Sequence, residues 1–122
     1  MIEVRNVYKS FNGKEVLKDI SFTFEAGKTN LIIGQSGSGK TVLMKSVIGI
    51  HQVDKGQILY NGRDFTKMSN KETALLRQEI GMLFQGSALF DSMTVEENVR
   101  FPLEMFSDKT RKEWEKRVAF CL

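Results

Sequence analysis

Residues 34–41 read Gly34-Gln35-Ser36-Gly37-Ser38-Gly39-Lys40-Thr41, a full match to G-x-x-x-x-G-K-[S/T]. A polyphosphate concentrates several negative charges in a small volume. Holding it takes many converging N–H donors with no side chains in the way, which glycines at 34, 37 and 39 permit. The segment must therefore lie between a strand and a helix whose N-terminus adds unpaired N–H groups and a positive dipole end. The flanking residues satisfy this. Asn30-Leu31-Ile32-Ile33 predicts a strand buried on both faces of a parallel sheet. Thr41 to Ile50, with Val42, Leu43, Ser46, Val47 and Ile50 at helical spacing, predicts a helix that stops near Gly49. The candidate phosphate-binding residues are Gly34, Ser36, Gly37, Ser38, Gly39, Lys40 and Thr41. Lys40 offers a mobile point charge to the β- and γ-phosphates. The Thr41 hydroxyl is a hard oxygen ligand suited to Mg²⁺.

The rest of the chain predicts strands first and helices last. Ile2–Tyr8 and Val16–Phe24 alternate apolar and polar residues, with the turn dipeptide Asn12-Gly13 between them. Gln57–Tyr60 followed by Asn61-Gly62 predicts a strand entering a hairpin. Ser69–Glu72 is a capping box that opens a helix toward Gln78, and Ile80–Phe84 predicts a second buried strand. Two more capping boxes, Thr94–Glu97 and Thr110–Glu113, start helices. Pro102 is expected to interrupt the first; Trp114, Val118 and Cys121 or Leu122 form an apolar stripe on the second. The order predicts an α/β architecture with an antiparallel layer at the N-terminus.

Composition narrows the function classes. With 41% hydrophobic residues the chain is not of the disordered type, and a net charge of +3 is too small to imply nucleic acid. The basic cluster from Lys109 to Arg117 is interleaved with Glu113 and Glu115 and is expected to form a solvated helical face. No stretch approaches the ~18 to 20 apolar residues of a membrane span, and the N-terminus lacks a signal-peptide pattern. The chain is expected in the cytosol. A single cysteine excludes an internal disulfide, and Cys121 is expected to be buried. His51 reads as a plain polar loop residue.

The phosphate loop alone specifies only a nucleotide. Three features around it resemble the ATP-binding cassette (ABC) family: Val7-Tyr8-Lys9-Ser10-Phe11 with Val16-Leu17-Lys18-Asp19-Ile20-Ser21-Phe22, the loop body Ser36-Gly37-Ser38-Gly39-Lys40, and Ile80-Gly81-Met82-Leu83-Phe84-Gln85. The resemblance covers the whole chain. It implies a P-loop NTPase core with an N-terminal antiparallel layer over 1–30, the core through the Q-loop over 31–90, and the start of a helical subdomain over 91–122. It further implies that Phe11 stacks on adenine beside Val16, and that Gln85 reaches the Mg²⁺ and the attacking water. Residues 86–93, unusually apolar for a connection, would meet the coupling helix of a membrane-embedded permease through Leu89, Phe90 and Met93. The wording from Gly81 to Leu103 is closest to the Mla-type branch, whose ATPases move phospholipids with a permease and a lipid-binding MCE protein.

By the same resemblance, the family's signature segment, an apolar strand ending in Asp-Glu and a late histidine should follow the Q-loop, and none occurs between Phe84 and Leu122. The sequence is thus expected to be a truncated cassette that binds ATP with Mg²⁺ without turning it over, and to expose an apolar edge that promotes self-association. In full length, two cassettes would clamp two ATP molecules as a homodimer on the cytoplasmic face of the inner membrane. The competing readings are a soluble, non-transport ABC ATPase acting on DNA or ribosomes, and a stand-alone nucleotide-binding module or small P-loop kinase. Long inserts or a basic surface would mark the former. A chain beginning at the loop strand would mark the latter.

Overall fold

In a computed structural model, residues 1–86 and 88–122 are described, and they fall into two compact units, Met1–Gly81 and Met82–Leu122. The first is built on a four-stranded sheet of order β2-β1-β3-β4, every neighbouring pair antiparallel. The strands are β1 (Ile2–Phe11), β2 (Lys14–Phe24), β3 (Lys55–Tyr60) and β4 (Arg63–Asp64). The Asn12-Gly13 turn sets the first hairpin, pairing Phe11 with Lys14 and Ile2 with Phe24. Register shifts fall around Val7, next to two non-glycine residues in the left-handed region, Asn6 and Asp19. Those two bond to each other, Asn6 Nδ2 donating to Asp19 Oδ1 at 2.8 Å. Asn and Asp are the side chains that tolerate this backbone best.

One sheet face carries the core. Val4, Val7, Leu17, Ile58 and Tyr60 are buried with Leu43 and Val47 of helix α1 (Lys40–Val47), Phe65 of a short 3-10 turn, and Leu76 of α2 (Asn70–Gln78). Burying each large side chain stabilises the fold by about 1.5–3 kcal/mol, so this face holds the unit together. The helix α1 ends at Gly49, whose φ of 76° suits glycine and whose missing Cβ would otherwise meet the Phe65 ring at 2.0 Å. Arg77 of α2 ties down the same end, donating to the carbonyls of Ile48 and Gly49. The Ser69 box is formed: Ser69 N–H donates to Glu72 Oε2 at 2.8 Å and Glu72 N–H returns to Ser69 Oγ at 3.4 Å.

The second unit comprises α3 (Val95–Phe106) and α4 (Arg111–Cys121) with the segment before them. Thr94 and Glu97 exchange capping bonds, Thr94 N–H to Glu97 Oε2 at 2.7 Å and Glu97 N–H to Thr94 Oγ1 at 3.2 Å. At α4 the Glu113 carboxylate accepts from both the amide and the hydroxyl of Thr110 at 2.8 Å. Trp114 Nε1 donates to Ser107 Oγ at 3.0 Å. Val118 is buried on the expected stripe.

Four expectations are corrected. Residues 30–33 form no strand: Leu31 and Ile33 are exposed and only Ile32 packs toward the core. Residues 80–84 form none either, with Leu83 almost wholly exposed. An extended segment becomes a strand only by hydrogen bonding to a neighbour, and among the described residues neither segment has one. Pro102 does not interrupt α3. It sits inside the twelve-residue helix, where its lost N–H removes one internal bond without ending the element. Cys121 is exposed, lying at the end of α4.

Candidate functional site

The phosphate loop joins residues 30–33 to α1. Gly39 is its pivot. It caps α1 with φ 98°, a left-handed conformation that side chains disfavour, and it is buried against β2. A Cβ there would approach Val16 Cγ1 at 3.1 Å and the Val16 carbonyl at 3.2 Å. No side chain caps α1 and no acidic residue lies in its first turn, so its leading N–H groups and positive dipole end face whatever the loop holds.

Lys40 arches back over the loop, its Nζ donating to the carbonyls of Gly34 at 2.7 Å and Gln35 at 2.6 Å. Ser38 N–H bonds to the Gln35 carbonyl at 3.2 Å, closing the turn beneath it. The lysine is thus folded back onto the main chain at the start of the loop, held by two of its carbonyls. Ser36, Gly37, Ser38 and Thr41 are exposed along the loop and the helix start.

Phe11, at the end of β1, is 38% exposed; across the hairpin turn it pairs with Lys14, and two residues on, Val16 packs beside Gly39. Phe11 and Val16 thus belong to the same hairpin end as the loop's support. The Phe11 ring meets His51 edge to face, centroids 5.2 Å apart at 73°. His51 is accordingly more than a plain loop residue, which no local pattern in the sequence could show. Lys9 Nζ lies 5.2 Å from the Phe11 centroid and is paired with Asp54 Oδ1 at 2.8 Å. That contact spans 45 residues and arises because β1 and β3 are neighbours in the sheet.

Gln85 lies in the second unit and is exposed, as are Leu89 and Phe90; Met93 is half-buried, and Ser87 is outside the described residues. The segment is held by Asn98, whose Oδ1 accepts from Phe90 N–H at 2.8 Å while its Nδ2 donates to the carbonyls of Phe90, Met93 and Thr94 at 3.1, 3.2 and 2.9 Å. Among the described residues no group of three His, Cys, Asp or Glu side chains could hold a metal by itself, and no helix is long and apolar enough to cross a membrane. Thr41 is exposed in the first turn of α1, and a hydroxyl there is the oxygen type of donor that suits a Mg²⁺ taking its remaining ligands from phosphate oxygens and water.

Comparison with known proteins agrees with this geometry. The ABC transporter family model matches residues 17–121. The "Probable ribonucleotide transport ATP-binding protein mkl" of Mycobacterium tuberculosis is 38% identical over 112 residues, covering 92% of this chain and 31% of the relative. The "Methionine import ATP-binding protein MetN 1" of Bacillus cereus is 42% identical over 122 residues, covering 97% and 35%. Among solved structures, a dimeric bacterial ABC transporter cassette, MJ0796, superposes with a TM-score of 0.87 at 26% identity, covering 99% of this chain and 55% of that one. The same cassette bound to ADP and Pi gives 0.85. Fold and loop define an ABC-type nucleotide-binding domain. The chain belongs to the ABC transporter family, and it spans about a third of the length of these two curated relatives.

Proposed function

We propose that this chain supplies the nucleotide grip of an ATP-binding subunit that energises an ABC transporter. The observation that carries it is Lys40 poised over the Gly34–Gly39 loop at the uncapped N-terminus of α1. Here Gly34, Ser36, Gly37, Ser38 and Gly39 give main-chain amides to the phosphates of ATP, Lys40 balances the β- and γ-phosphate charge, and the Thr41 hydroxyl ligates Mg²⁺. When bound, Mg²⁺ supplies charge neutralisation across the phosphate oxygens. Phe11 stacks on the adenine, with Val16 beside it, and Gln85 orients the attacking water; a neutral amide can both accept from and donate to water without adding charge.

In the full-length protein two such subunits close on ATP as a homodimer, and the closed state is stabilised only as far as ATP binds it better than the open one. The dimeric state of the MJ0796 cassette supports this assembly. Leu89 and Phe90, exposed on the segment that Asn98 holds, supply the contact with a transmembrane permease, which places the subunit peripherally on the cytoplasmic face of the inner membrane. The likeness of residues 81–103 to the Mla-type branch supports a phospholipid cargo and an MCE-type partner. The curated relatives bear names for ribonucleotide and methionine transport, so the cargo assignment stands on that segment alone.

Calorimetric titration with ATP and Mg²⁺ tests the grip: saturable uptake is expected, lost in Lys40→Ala. No uptake by the folded chain would overturn the reading. Co-purification of the full-length protein with a permease and an MCE-type protein, as opposed to a solute-binding protein, tests the cargo.

A further inference from the structure

The geometry points to Asp54 and His51 as positioning residues for purine binding, acting through Phe11; this rests on the proposed stacking role of Phe11. An aromatic ring at a strand end, 38% exposed, is free to change rotamer, and a free ring must be ordered each time a base stacks on it. Here it is not free. His51 meets its ring edge to face at 5.2 Å, and the Lys9 ammonium lies 5.2 Å from its centroid.

Asp54 holds both the ammonium and the backbone. Its Oδ1 takes Lys9 Nζ at 2.8 Å, its Oδ2 takes the N–H of Ser10, the residue before Phe11, at 2.6 Å, and its own N–H donates to the Tyr8 carbonyl at 2.9 Å. Three bonds from one residue thus fasten Tyr8 to Ser10, the last three residues leading to the ring. His51 and Asp54 both come from the loop that follows α1, the helix that the phosphate loop opens. The base platform and the phosphate grip are thereby registered to each other through a single loop.

The consequence is a split between the two ends of the nucleotide. Losing the ordering of one aromatic side chain should weaken ATP by about three- to tenfold. Inorganic tripolyphosphate, which carries the phosphates without the base, should be unaffected. The test measures dissociation constants for ATP and for tripolyphosphate, each with Mg²⁺, in the parent chain and in Phe11→Ala, Asp54→Ala, Asp54→Asn and His51→Ala. Asp54→Ala and His51→Ala are expected to weaken ATP alone, and Asp54→Asn to recover part of the loss, since an amide oxygen can still accept from Ser10 N–H. Intact tripolyphosphate binding shows that a variant is folded; if Asp54→Ala loses it, His51→Ala decides. The proposal is overturned if His51→Ala leaves ATP affinity unchanged or weakens both ligands alike while Phe11→Ala weakens ATP. If Phe11→Ala itself leaves ATP binding intact, the stacking role fails and the positioning role falls with it.

Discussion

Tyr60 reaches from β3 to the last turn of α1, where its hydroxyl donates to the Val47 carbonyl at 2.6 Å. The bond clamps the helix that carries the phosphate loop onto the sheet, from a residue that is itself buried. Burial pushes the Tyr60 phenol up from 10.0 to about 12. A group whose folded pKa is raised contributes stability that is whole below its unfolded pKa and lost as pH climbs through the folded one. Tyr60→Phe should therefore lower stability by about 0.5–1.5 kcal/mol at neutral pH in urea unfolding. That gap should narrow between pH 10 and about 12, as the parent protein alone loses the tyrosine's contribution. A gap that stays constant across the window would show that the phenol is not held neutral by the fold.

Gly39→Ala should weaken ATP by roughly tenfold, since a left-handed alanine costs on the order of 1–2 kcal/mol and its methyl would press on Val16. The loop's response can be separated from general destabilisation by comparing thermal midpoints, which should fall far less than in a core truncation such as Ile58→Ala. Unchanged affinity would mean that the pivot is not where the loop's shape is set.

Asn98→Ala removes four hydrogen bonds that converge on residues 90–94. The Phe90 amide, whose acceptor is Asn98 Oδ1, should lose its protection against hydrogen exchange, while amides in the middle of α4 keep theirs. Equal loss in both places would indicate that the whole unit, and not the segment, depends on this side chain.

Leu31 and Ile33 are 84% and 81% exposed, flanking an open recess of about 400 Å³ bordered by Phe22, Phe24 and Leu43. Exposed apolar side chains on a segment with no strand partner among the described residues should drive association between copies at high micromolar concentration. Sedimentation of this chain should show oligomers that Leu31→Lys with Ile33→Lys dissolves. A clean monomer in the parent chain would refute this.

The antiparallel layer, the loop-to-helix transition and all three helix starts were legible because each is written locally. Alternation marks β1 and β2, Asn12-Gly13 and Asn61-Gly62 mark turns, and Ser69, Thr94 and Thr110 each find a glutamate three residues on. Residues 30–33 and 80–84 read as strands for a sound reason, an apolar run, but pairing is not a property of the run itself. Leu31 and Leu83 are exposed because nothing described lies alongside to accept them. Pro102 was expected to break a helix that the Thr94 box and the packing of Phe101 on Phe90 at 4.9 Å sustain around it. At the site, Gly34 to Thr41 could be named from spacing alone, whereas Lys9, His51 and Asp54 could not. Their meeting depends on β1 pairing with β3, a relation between residues more than 40 apart.

The single tryptophan, Trp114 of α4, is in the second unit, while both tyrosines, Tyr8 and Tyr60, are in the first. The two units of the chain therefore carry different chromophores. Emission excited at the red edge, where only indole absorbs, reports melting of the helical pair alone, and a single chain can reveal by optics whether its two parts come undone together or in turn.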